Sequence, residues 1–476
     1  MSAVSLLTIE IATAVLAIGL LIIGLIVPKD QRRGIGYLAT FGLIIIFALT
    51  LLYTNVQETV FNGMYIIDPY STFFKQLFLA AAILVSVSSF DYVKRLGYNQ
   101  GEFYSLMVFA TLGMMMLASA GDLISLYLGL ELMTITFFVL TAYRKNDFKS
   151  SEAGIKYVIL GAMSSAILLY GFSLIYGAAG TTVISEMADG LKQGIQPIVL
   201  LGMIFALVGF GFKVSAAPFH MWSPDIYEGA PTPVTAFLAV ASKAAGFAAL
   251  VRLLVIALPS LQSSWVLIVM VLSALTVIFG NFVAIPQTNI KRLLAYSSIA
   301  QAGYLLFGLV AYSALGVAAI LFHSLLYVFA NLGAFTVVIA FYNNTGSDEI
   351  KDYSGLARRS PLMAAVMLLS LLSLAGIPPL AGFVSKFYLF TAIIDQGYIW
   401  LAFLGIGMSM VSVYYYLIVV KVMYMGEPPE DSEPMKLPVS IQATLYATML
   451  VSLFFGIYPA PLTNIALSVA KAFFPF

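Results

Sequence analysis

Cysteine is absent from this chain of 476 residues. Disulfides, thiolate metal centres and cysteine-held iron–sulfur clusters are therefore excluded. Histidine is nearly absent, with only His220 and His323, too few for a multi-histidine haem or metal site. Charge is scarce too. Asp, Glu, Lys and Arg make up 9% of the chain, against about a quarter of an ordinary soluble protein. A soluble enzyme, a disordered chain and a nucleic-acid binder are ruled out on that count. The net charge of +1 gives no overall attraction for a polyanion. What the chain has in excess is apolar surface, with 61% hydrophobic residues. It reads as a polytopic membrane protein.

A membrane-spanning helix needs about 20 mostly apolar residues. Such runs recur throughout and predict helices over 6–27, 36–54, 69–90, 103–119, 121–143, 152–177, 195–217, 232–258, 264–284, 291–311, 313–341, 360–394, 398–424 and 439–463, fourteen in all. The expected fold class is all-α. The longest connections, around 342–359 and 425–438, are too short to bury a core, so no extramembrane domain is expected. The first run lacks a basic leader and a small-residue cleavage motif and reads as a retained helix. Lys and Arg divide unevenly between alternate loops. Lys29, Arg32, Arg33, Lys94, Arg95, Arg144, Lys145, Lys149, Lys291, Arg292, Lys351, Arg358, Arg359, Lys421 and Lys436 fall on one side, and only Lys192 and Lys471 on the other. The basic side is expected to be cytoplasmic, with both termini outside, as an even number of spans requires.

Six basic residues fall inside predicted helices: Lys75, Lys156, Lys213, Lys243, Arg252 and Lys386. Lys75 and Arg252 lie near helix ends, where a long side chain can snorkel to the interface. Lys156 is one turn into its helix. Lys243, in TAFLAVASKAAGFAALVRLL, and Glu131, in LISLYLGLELMTITFFVL, are mid-helix. One charge at the bilayer centre costs roughly 2.5–3.5 kcal/mol on insertion scales. Glu131, Lys213, Lys243 and Lys386 together therefore cost on the order of 10 kcal/mol. They could pair as glue between helices. One carboxylate against three lysines leaves charge unmatched, which glue does not explain. Burial disfavours an ammonium while a nearby carboxylate favours it. Lysines poised between these effects can bind and release protons, which makes a relay the better reading. His323, mid-helix in AAILFHSLLYVFANLG, titrates near neutrality when unperturbed and is a candidate member. His220, at a helix end in APFHMWSP, reads as an interfacial anchor or gate.

The run 360–394 is too long for one span and contains Gly376-Ile377-Pro378-Pro379. Two prolines remove two backbone donors and break the helix. Gly209, Gly211 and Pro218 flank Lys213 in a similar way. A broken helix at membrane depth is tolerated only where it is buried in protein or lines a polar cavity. Lys386 follows Lys213 by 173 residues, about five helices. That offset maps Glu131 onto Tyr304 and Lys243 onto Tyr416. Five is odd, so the copies would be inverted in the membrane, as helices 4–8 and 9–13 with broken helices 7 and 12. The expected division is 1–100 for helices 1–3, 101–260 and 261–425 for the two repeats, and 426–476 for the last helix.

Three stretches carry a family resemblance: FKVSAAPFHMWSPDIYEGAPTP (212–233), IKRLLAYSSIAQAGYLL (290–306) and RRSPLMAAVMLLSLLSLAGIPPLAGFVSKFYLF (358–390). The chain resembles the antiporter-like membrane subunits of respiratory complex I, the proton-pumping NADH–quinone oxidoreductase. WSPDIYEGAP and AGIPPLAGFVSKFY resemble the N branch of that family. Gln301 departs from the pattern, since a histidine is common there. The resemblance implies that Glu131 pairs with Lys213, that Lys243 is the central proton carrier and Lys386 the terminal one. Lys156 and His323 would be auxiliary. It implies no cofactor on this chain, NAD and quinone being used elsewhere in the complex. Small membrane subunits would lie on the Glu131 side and another antiporter-like subunit on the Lys386 side, in a bacterial inner membrane. The alternative is a subunit of an Mrp-type cation/proton antiporter complex, which shares the lysines.

Overall fold

The computed structural model describes residues 3–28, 32–97, 100–191, 197–429 and 433–474. Lys29 and Lys192, used above for orientation, lie outside the described residues. The described chain is almost wholly helical. Among the described residues, twelve helices are long and apolar enough to cross a membrane. In chain order the helices of eight residues or more are α1 (Thr8–Ile26), α2 (Arg33–Thr50), α3 (Pro69–Leu96), α4 (Gln100–Ala118), α5 (Leu123–Thr141) and α6 (Phe148–Ala179). Then come α7a (Pro197–Lys213), α7b (Trp222–Gly229), α8 (Thr232–Ala257), α9 (Gln262–Ala284), α10 (Ile290–Val310) and α11 (Ala314–Thr345). The last are α12a (Pro361–Ala375), α12b (Ala381–Asp395), α13 (Ile399–Met425), α14 (Val439–Ile457) and α15 (Ala460–Lys471).

The breaks expected in helices 7 and 12 are present. The 17 residues of α7a and the 15 each of α12a and α12b fall short of a span. Gly376 ends α12a at φ 85, a left-handed position open to glycine. Helix 14, expected to reach 463, stops at Ile457 and is followed by the separate α15. A short hairpin pairs Glu58–Val60 with Tyr65–Ile67, which the apolar pattern did not signal.

Two sets of five helices share one layout. The first set begins at Gln100, Leu123, Phe148, Pro197 and Thr232, the second at Gln262, Ile290, Ala314, Pro361 and Ile399, so the starts differ by 162 to 167 residues. Both third members run 32 residues and end on a left-handed glycine, Gly180 and Gly346, each at φ 74. In the first set Asp122 forms a β-bridge with Val183, and in the second Asn289 forms one with Glu349. The repeat is thus visible in backbone geometry, but not at the 173-residue offset. Lys213 closes the first half of its broken helix, while Lys386 lies within the second half. The matches of Glu131 with Tyr304 and of Lys243 with Tyr416 fall with that offset.

Helix α8 is buried along its whole length, and α10 and α11 nearly so, whereas α13 and α14 expose most of their surface. The exposed helices present apolar residues such as Phe403, Met410 and Leu450, as a lipid-facing surface requires. The bundle therefore has a buried core of helices that carries Lys243 and His323, while Lys213 and Lys386 sit on the broken helices and Glu131 on α5.

Candidate proton-transfer site

The interruption of helix 7 leaves Lys213 as the last residue of α7a, 4% exposed. Its Nζ donates to Thr134 Oγ1 at 2.7 Å. No ion pair within 4.0 Å joins it to Glu131 among the described residues, and Thr134 is the side chain its ammonium meets. Thr134 lies three residues beyond Glu131 on α5, so the carboxylate sits about one turn away. Glu131 Oε1 is buried without a hydrogen-bond partner. The resulting arrangement is a hydroxyl held by the lysine and a carboxylate one turn along the same helix.

Lys243 begins the central stretch of α8 and is 2% exposed. Wide π-type turns at Leu238–Ser242 and Arg252–Ala257 flank that stretch. Such turns inside a helix commonly mark functional positions. Its Nζ donates to Ser298 Oγ on α10 and lies 5.7 Å from the Tyr227 ring centre. Tyr227 Oη and Ser298 Oγ are 3.4 Å apart. Lys213 is close behind, since a methyl added to Gly246 would meet Lys213 Cβ at 3.9 Å.

Polar contacts continue from α10 toward α12b. Ser297 Oγ meets Tyr416 Oη at 2.5 Å. The neighbouring Tyr415 donates to Asn281 Oδ1 at 3.1 Å, and Asn281 Nδ2 donates to Tyr304 Oη at 3.4 Å. The Tyr304 ring centre lies 4.5 Å from Lys386 Nζ. Lys386 is 3% exposed and reaches back across the break. It donates to the Ala375 carbonyl at 3.1 Å and to Ser409 Oγ at 2.8 Å. A cation there meets the free carbonyls at the end of α12a. Gln301 Nε2 donates to the Leu374 carbonyl at 2.8 Å, so the residue that departs from the family pattern also holds this broken end. His323 Nδ1 lies 3.0 Å from Ser385 Oγ, beside Lys386, and its Nε2 has no partner.

Other placements differ from expectation. Lys156 is not buried. It is 42% exposed and pairs with Glu152 and Asp225, each at 2.8 Å. It lines a cleft of about 170 Å³ with Lys149, Asp225, Glu228 and Arg292. Tyr227, between Asp225 and Glu228 on α7b, faces Lys243 instead. Lys75 and Arg252 do not snorkel. Both are 1% exposed. Lys75 pairs with Glu10 at 2.6 Å and Arg252 with Asp68 at 2.8 Å, and Arg252 also donates to the Ala118 carbonyl. His220 is half-buried, its ring 6.1 Å from that of Phe279. Residue type alone did not single out Thr134, Ser297, Ser298, Asn281 or Ser409. Hydroxyls are too common in apolar helices to signal a role, because most bond their own backbone.

The family described as NADH:quinone oxidoreductase/Mrp antiporter, TM, matches residues 120–412. A curated relative, NADH-quinone oxidoreductase subunit N of Moorella thermoacetica, is 62% identical over 475 residues, the whole of both chains. The chain belongs to this family. A chain of respiratory complex I from Thermus thermophilus, solved with bound aureothin, is 33% identical. It superposes with a TM-score of 0.82, covering 96% of this chain and 99% of its own. A chain of the Mrp complex from Dietzia sp. DQ12-45-1b reaches a TM-score of 0.88 over 98% of each chain at 20% identity. That second likeness is one of fold alone. Sequence identity places the chain with the quinone oxidoreductase subunits and sets the Mrp alternative aside. Among the described residues no group of three or more His, Asp or Glu could hold a metal ion.

Proposed function

We propose that this multi-pass membrane protein is the N-type proton-translocating subunit of a NADH–quinone oxidoreductase, moving protons through its buried lysines while electrons flow in other subunits. The observation that carries the reading is the set of buried lysines, each on a hydroxyl: Lys213 on Thr134, Lys243 on Ser298 beside Tyr227, and Lys386 on Ser409, the last reached from Ser297 through Tyr416, Tyr415, Asn281 and Tyr304. A hydroxyl can accept one proton and donate another, so the row can pass charge without moving a side chain far. Lys213 and Lys386 stand at broken helices, where freed backbone groups make polar surroundings within an apolar bundle. Lys243 is the central carrier and Lys386 the terminal one. Glu131 biases Lys213 by its charge, and His323 acts on Lys386 through Ser385. Lys156 belongs to the rim on the basic side.

In this reading each broken pair makes one crossing, giving fourteen, and residues 101–260 and 261–425 are the inverted repeats between 1–100 and 426–476. The basic side is cytoplasmic in a bacterial inner membrane, with both termini outside. Small membrane subunits cover the Glu131 side and another antiporter-like subunit the Lys386 side, with lipid elsewhere. NAD and quinone are used by the whole complex, and no cofactor is bound here. Protonating one group shifts its neighbour by Coulomb interaction, and salt screens little in a dry interior. That gives a physical route for energy arriving from a neighbouring subunit.

The test is the proton-to-electron ratio in vesicles carrying the Glu131→Ala complex. Both pumping and quinone-linked electron transfer should fall, while the peripheral arm tested with an artificial acceptor is unaffected. Full pumping by a fully assembled Glu131→Ala complex refutes the coupling role.

A further inference from the structure

The basic end of the bundle holds two groups of cations that differ in their pairing. Lys149, Lys156 and Arg292 are matched by Glu152, Asp225 and Glu228 at 2.8 to 3.0 Å. That set is neutral within itself. Lys94 and Arg95, in the last turn of α3, and Lys436, just ahead of α14, line one cleft of about 360 Å³. Asp91 is its one carboxylate and is engaged in an interaction of its own. The three cations are exposed and form no ion pair or side-chain hydrogen bond among the described residues. The cleft therefore carries an unspent charge of about two positive units.

Two further features give the cleft a polarity. Helix α14 starts at its edge, after Pro438, with no side-chain cap. Its first-turn N–H groups and the positive end of its dipole add to the attraction for an anion. The floor includes Ile441, and further along the same helix Tyr446, Leu450, Phe454 and Ile457 are exposed. Their spacing of three and four residues makes one apolar stripe. The stripe lies on the face of α14 opposite the buried Ile441 and marks the apolar layer that the helix enters beyond the cleft.

We propose that this cleft binds the phosphate headgroup of an anionic phospholipid, whose acyl chains enter the apolar layer that α14 crosses. Basic pockets between transmembrane helices suit such headgroups. A soluble phosphate has the same charge chemistry but no acyl chains to anchor it in that layer. The site stands apart from the lysine row and does not depend on it. General positive-inside bias explains which side the cations occupy. It does not explain why three converge unpaired on one cleft while three others are fully matched.

The experiment is native mass spectrometry of the full-length chain with phosphatidylglycerol, phosphatidylcholine or inorganic phosphate added. The test variant is Lys94→Gln/Arg95→Gln/Lys436→Gln. The control is Lys145→Gln/Lys351→Gln/Lys421→Gln, which removes the same charge from scattered exposed positions on the same side. Each cation near an anionic headgroup is worth about fivefold in affinity, so the test variant should lose on the order of 100-fold for phosphatidylglycerol. The control should lose little, and phosphatidylcholine should bind weakly to all three proteins. Equal losses in both variants overturn the proposal in favour of diffuse charge. Inorganic phosphate that binds alone and displaces the lipid overturns it in favour of a soluble anion. Unfolding temperatures of both variants separate loss of a site from loss of the fold.

Discussion

Replacing Lys243 by arginine separates a proton carrier from a fixed charge. Arginine keeps the positive charge, the reach to Ser298 Oγ and a contact with the Tyr227 ring. Alanine removes all three. A hydrogen bond from a charged group is worth about 1.5–3 kcal/mol and a desolvated cation–ring contact about 2 kcal/mol. If Lys243 only holds α8 to α10 and α7b, Lys243→Ala forfeits roughly 3–5 kcal/mol of contacts and Lys243→Arg little of it. A carrier gives the opposite pattern. Arginine stays protonated in a protein at pH 7. Every proton that must leave this side chain would then stall, and Lys243→Arg should pump as poorly as Lys243→Ala. The assay is proton uptake into inverted vesicles, normalised to assembled complex and read beside quinone-linked NADH oxidation. Arginine is bulkier, and overpacking a buried site costs about 1–3 kcal/mol, so assembly is checked by native gel and thermal unfolding. An assembled Lys243→Arg complex that pumps normally refutes the carrier role.

Other substitutions test separate parts of the structure. Thr134→Val removes the hydroxyl that Lys213 Nζ meets at 2.7 Å and should lower pumping several-fold, a buried donor left unpaired costing about 1–3 kcal/mol. Thr136→Val, whose hydroxyl bonds only its own helix backbone, should leave the pumping rate unchanged. Asp68→Ala leaves Arg252 buried without its partner and should cost about 3–5 kcal/mol, seen as a lower unfolding temperature and less assembled complex. Lys156→Gln, at a half-exposed pair, should cost under about 1 kcal/mol by the same measurement. Gly376→Ala puts a methyl 2.9 Å from Lys386 Cδ at a backbone φ of 85 and should slow pumping by displacing the lysine. Gly177→Ala, with nothing within 4 Å, should match the parent in pumping and in unfolding temperature.

The spans were legible in the sequence because membrane insertion depends on local composition, and a run of 20 apolar residues carries that information by itself. The breaks beside Lys213 and after Ala375 were legible for a similar reason, since proline and glycine act on their own turn of helix. The buried charges Lys213, Lys243 and Lys386 stood out because a charge in an apolar run has no local explanation. What surrounds those charges was not legible. Lys75 and Arg252 sit in the same kind of run, yet each is neutralised by a partner far away in the chain, Glu10 and Asp68. Arg252 and Asp68 are 184 residues apart, and no pattern within a helix reports such a meeting. Ser298, Tyr227 and Tyr416 gain their place only because α7b, α8, α10 and α13 pack side by side. The 173-residue offset failed for the same reason, because residues of like chemistry need not be equivalent by backbone. Composition and single-turn sterics are local and can be read from the sequence. Pairing of buried polar groups is a property of the packed bundle, where low dielectric makes each partner decisive, and only the tertiary structure decided it.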